Sequence, residues 1–240
     1  MKIEELEKRV ILKANNYLFP QGFTSEKPCL YIKKLSFGFD EISFSLTPKG
    51  MDKGIHYLIL RGYKAIEKYW EKYFTELRGY PLEGHLMTIG THAMCIDKKY
   101  NKYPDDAILG NGGELLRMEY SIEDLKRFFE DFQWHYENLL QPVLIKSQDI
   151  RWLDKKLNTD PLKFNGFTEI MAMGFSTEFH KLIIARLAGN PNYEQIYQLI
   201  RGTLVEWATE EEDGKRMLRV FDKVYEDLKE VKPLENPILE

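Results

Sequence analysis

The apolar residues change period twice along this chain, and that double switch limits the folds open to it. Ile3, Leu6, Val10, Ile11, Ala14, Tyr17 and Leu18 recur at spacings of three, four and seven, the stripe of an amphipathic helix. Pro20 and Gly22 stop it. From Leu30 the period drops to two. Leu30 and Ile32, then Ile42, Phe44 and Leu46, alternate with Lys33 and with Ser43, Ser45 and Thr47, as half-buried strands require. Gly38 predicts a hairpin turn between these runs, and a third strand over 55–60 follows the turn signals Pro48-Lys49-Gly50 and Lys53-Gly54. Short links between consecutive strands favour antiparallel pairing. The helical period returns over 64–78, with Ile66, Tyr69, Trp70, Tyr73, Phe74 and Leu77 on one face and Glu67, Lys68, Glu71, Lys72 and Glu76 on the other. That helix is expected to cover one face of the sheet. Residues 86–96 and 115–120 add two strand candidates, with Gly90 weakening the first or marking a bulge.

After Ser121 the period stays helical. Ser121 and Asp124 have the spacing of a capping box, and Ile122, Leu125, Phe128, Phe129, Phe132, Tyr136, Leu139 and Leu140 carry the buried stripe up to Pro142, which should end or kink the helix. Shorter helices are expected over 149–157 and 168–187, the latter stopped by Gly189. Asn190 then caps a helix with Pro191 in its first turn, and a last helix spans 215–229. The fold class that follows is α+β: an antiparallel sheet of four to five strands, an N-terminal helix and a helix-rich C-terminal half. Residues 1–120 form the sheet portion and 121–240 the helical portion, expected to pack as one unit because the sheet's remaining apolar face needs cover.

Charge and cysteine content narrow the function classes. Cys29 and Cys95 are the only cysteines, too few and too far apart for a disulfide framework or a thiolate metal motif. Charged residues among the first ten leave no secretory h-region there, so no leader is expected, and no apolar run approaches the ~20 residues that span a bilayer. A soluble, cytoplasmic protein in a reducing compartment is the expectation, with no membrane partner. The net charge of −4 is unevenly spread: residues 1–103 carry +5 and residues 104–240 carry −9. Either the halves attract each other, or the C-terminal half offers an acidic surface to a basic protein. Neither half has the basic cluster interleaved with aromatics that nucleic-acid binding calls for.

Few residues announce chemistry. His85 and His92 are seven apart in a presumed strand and face opposite ways, and neither HxH nor HExxH occurs, so no metal or other cofactor is expected. His56, His135 and His180 each stand alone and read as structural. There is no GxSxG elbow, and Cys29, behind Pro28, reads as a small buried hydrophobe. The long polar stretch 97–113 is either functional or flexible. Its ligand-binding candidates are His92, Asp105, Asp106 and Asn111. Gly110-Asn111-Gly112-Gly113 has the backbone to hold an anion but lacks the Lys-Ser/Thr of a P-loop. The run Glu210-Glu211-Glu212-Asp213 is a solvated loop or a partner patch, and Tyr80, Tyr100, Tyr103 and Trp134 are candidate surface aromatics suited to protein contacts.

Three segments carry a resemblance. Leu18-Phe19-Pro20-Gln21-Gly22-Phe23, followed by Tyr31-Ile32-Lys33-Lys34 and Ile42-Ser43-Phe44-Ser45-Leu46, resembles the opening of a group of uncharacterised bacterial α+β proteins. Residues 149–158 and 187–193 are similar to that group's helical tail. The likeness covers about half of the chain, its motifs are structural, and it supplies no functional residue. Some members resemble toxin-neutralising immunity proteins, which implies a binding protein. The first functional reading is therefore a non-catalytic interaction protein, possessing an acidic C-terminal surface for a protein partner. The alternative is an enzyme or small-ligand protein with a pocket at the 97–113 loop. Oligomeric state is left open.

Overall fold

The structure, a computed structural model, describes residues 3–47, 54–80, 86–91, 115–116, 121–158, 171–172 and 177–239. The chain divides into two compact units interleaved in sequence: residues 1–61 with 90–145, and 62–89 with 146–240.

In the first unit, α1 (Ile3–Leu18) leads through a single 3-10 turn into β1 (Thr24–Lys27), β2 (Leu30–Leu35), β3 (Gly38–Thr47) and β4 (Gly54–Tyr63). These lie side by side in chain order, followed by β5 (Ile89–Thr91), with β6 (Leu115–Leu116) paired to β4. The pairs β1–β2, β2–β3 and β4–β6 are antiparallel. Gly38 opens β3 opposite Leu35 instead of forming the turn, which is left to Ser36 and Phe37. β1, which the hydrophobic pattern does not reveal, is exposed along its whole length. It is joined to β2 by a turn in which Cys29 takes φ 62°, a left-handed conformation uncommon outside glycine.

One face of this sheet holds the core. Tyr31, Ile42, Phe44, Ile55, Tyr57 and Ile59 meet Leu6, Val10, Ala14 and Leu18 of α1, and Leu125, Phe128, Phe129 and Phe132 of α4 (Ile122–His135). Phe132 sits edge-on to both Phe44 and Tyr57, with ring centroids 5.0 Å apart in each case. Each fully buried aromatic of this kind contributes roughly 1.5–3 kcal/mol. The capping box at Ser121 and Asp124 forms in both directions. Pro142 does not end the helix. A π-turn over Tyr136–Leu140 lets the Gln141 N–H reach back to the Tyr136 carbonyl, and the helix resumes as α5 (Gln141–Lys146), absorbing the proline's missing donor. Asp40 and Arg61, both buried, pair at 2.5 and 2.8 Å, and Arg61 also donates to the Leu144 carbonyl.

The second unit is mostly helical. The expected single helix over 64–78 is broken into α2 (Lys64–Glu67), a 3-10 turn (Glu71–Tyr73) and α3 (Phe74–Arg78). Then come α6 (Ile150–Asn158), the two-residue β7 (Met171–Ala172), α7 (Thr177–Ala188), α8 (Tyr193–Glu210) and α9 (Glu212–Lys229). α7 packs on α6, α8 and α9, burying Phe179, Leu182, Ile183, Leu204, Val220, Phe221 and Val224. Gly189, at φ 70°, closes α7 in a Schellman motif: its N–H goes to the Arg186 carbonyl and that of Asn190 to Ala185. Asn190 does not cap α8 directly. Its side chain accepts from the Asn192 N–H and donates to Asp154, and the helix begins two residues later than expected.

Among the described residues, no helix is long and apolar enough to cross a membrane. The α+β class stands.

Candidate functional site

The ligand-binding candidates His92, Asp105, Asp106 and Asn111 lie outside the described residues, as do Tyr100, Tyr103 and Cys95. Of the other candidate surface aromatics, Tyr80 and Trp134 are both about half exposed. Cys29 is buried, and burial pushes its thiol up to about 11, the opposite of what an activated nucleophile needs. His135 is buried and hydrogen-bonds Tyr57 through Nδ1 at 3.1 Å.

The unexpected polar cluster centres on Glu67. Periodicity places it on the solvent side of its helix, yet it is buried. The Trp70 indole N–H donates to its Oε2 at 2.8 Å, His180 Nε2 lies 2.9 Å from Oε1, and the Thr88 hydroxyl donates to the same oxygen. Thr88 also accepts from the Tyr63 N–H at 3.0 Å. Trp70 Nε1 also lies 3.2 Å from His180 Nε2, so indole, imidazole and carboxylate form one compact polar group. His180 Nδ1 has no partner among the described residues. His180 is wholly shielded from solvent, and among the described residues the cluster acts as a clasp joining α2, Thr88 and α7. One sequence signal pointed to it: Trp70 stands three residues after Glu67, and a buried indole N–H needs an acceptor.

The accessible features lie on α8 and α9. Glu206, Glu210, Glu211, Glu212 and Asp213 are all exposed around the turn between these helices. Glu212 and Asp213 occupy the first turn of α9, where the helix dipole favours negative charge, and they pair with Lys215 and Arg216 at 2.6 and 2.7 Å. The Lys215 contact holds the Glu212 carboxyl below its usual range. Glu211 accepts from the Trp207 indole at 3.4 Å. Glu206, Glu210 and Glu211 have no cationic partner among the described residues. Val205, 39% exposed, stands one residue before them. Gly214 sets this geometry, because it is buried directly against the α8 backbone at Trp207 and Ala208.

Further along α9 runs an open groove of about 600 Å³ floored by Tyr73, Ala208 and Leu218. Lys215, Arg219 and Lys223 line it together with Asp222, Glu226 and Asp227. Glu76 accepts from Lys223 and Arg219, and the Lys223 hydrogen bond is the main reason its carboxyl is held low. Asp227 is likewise held low, first by Lys72 and then by the Tyr73 hydroxyl.

Among the described residues no group of three or more histidine, cysteine or acidic side chains is placed to hold a metal ion. Compared with protein-family models, curated proteins and solved structures, the chain matches none of them.

Proposed function

We propose that this chain is a non-catalytic interaction protein, of the toxin-neutralising, immunity-like kind, which binds a basic protein through the acidic turn between α8 and α9. The observation that carries this reading is the exposure of five carboxylates over residues 206–213, three of them (Glu206, Glu210 and Glu211) without a cationic partner among the described residues, beside an exposed Val205 and the half-buried Trp207. These carboxylates stay solvated, at the small cost of the repulsion between Glu206 and Glu210 four apart at the C-terminal end of α8. They steer an oppositely charged partner and disfavour a like-charged one, while the neighbouring apolar and indole surface supplies contact area. The −9 charge of residues 104–240 extends the same sign of field over that half of the sequence.

The test is affinity capture from the native cell with the wild-type chain and with the triple variant Glu206→Lys, Glu210→Lys, Glu211→Lys, its helicity checked by circular dichroism. The expected result is a basic protein retained by the wild type, released by raised salt, and lost with the variant. Retention of the same proteins by the variant overturns the reading. So does failure to capture any protein together with turnover of a metabolite by the purified chain.

A further inference from the structure

We draw no further inference here: the strongest candidate, the open groove along α9 floored by Tyr73, Ala208 and Leu218, carries nothing because its three cations and three carboxylates balance and are engaged in ion pairs and hydrogen bonds with neighbouring side chains, so nothing in the structure shows what covers it.

Discussion

Two glycines on adjacent helices should respond in opposite directions to the same substitution. A Cβ added at Gly214 would stand 2.7 Å from both the carbonyl carbon and oxygen of Trp207 and 2.8 Å from the Ala208 nitrogen. These are backbone atoms of α8, so they cannot swing aside as a side-chain tip could. The only relief is to part the two helices, and overpacking of this kind costs typically 1–3 kcal/mol. Alanine in place of glycine returns at most about 1 kcal/mol of helix propensity, and less near a helix start. Gly214→Ala should therefore be destabilising by about 1–2 kcal/mol. Gly202, in the middle of α8, is exposed and has nothing within 4 Å of the same added atom, leaving only the propensity gain, so Gly202→Ala should stabilise by about 0.5–1 kcal/mol. Urea denaturation of each full-length variant, followed by far-UV circular dichroism, reads both as shifts of midpoint at unchanged slope. A Gly214→Ala chain as stable as the wild type would refute the close approach of α8 and α9, and a Gly202→Ala chain less stable than the wild type would refute the open space around Gly202.

Removal of the clasp carboxylate by Glu67→Ala leaves the Trp70 indole, the Thr88 hydroxyl and His180 without their shared acceptor. With three buried donors left unsatisfied at about 1–3 kcal/mol each, it should cost roughly 3 kcal/mol or more, with Glu67→Gln milder, and a thermal-unfolding loss below about 1 kcal/mol for the alanine variant would remove Glu67 from its central place. Because burial holds the Cys29 thiol up at about 11, the folded chain keeps the proton that the unfolded chain gives up at lower pH. Its contribution is therefore complete below about pH 9 and declines as pH rises toward 11. Cys29→Ala should flatten that part of the stability profile, and an unchanged slope would count against a buried thiol. A fragment ending at residue 120 lacks Leu125, Phe128, Phe129 and Phe132 from the sheet's core and should show no cooperative unfolding transition; a soluble fragment with native-like stability would show that the sheet holds without α4.

Elements whose reasons are local could be read directly. α1, the strand through Ile42, Phe44 and Leu46, the capping box at Ser121 and the glycine stop at 189 each depend on a few neighbouring residues, and each occurs as expected. What stayed hidden depends on partners distant in sequence. Glu67 is turned inward by His180, more than a hundred residues away, and the interruption of the 64–78 helix lies beside that contact. Pro142 is tolerated because the preceding turn widens, an adjustment that no spacing of apolar residues reports. β1 escaped notice for the opposite reason: with no buried position, it has no alternation to detect. The accessible acidic turn was visible as a run of four carboxylates, but its extension back to Glu206 and the pairing of Glu212 and Asp213 required the helix geometry.

That featureless first strand has a consequence for how the chain behaves at high concentration. β1 ends the strand order on its side, where a flat apolar ribbon would recruit the edge of another molecule and seed fibrils. Thr24, Ser25, Glu26 and Lys27 instead place charge and hydroxyls along that border, and the register slips between Ser25 and Lys27, bending the ribbon away from the straight template that strand addition needs. The polar strand is thus a terminator: it completes the hydrogen bonding of β2 and gives a neighbouring molecule little to extend.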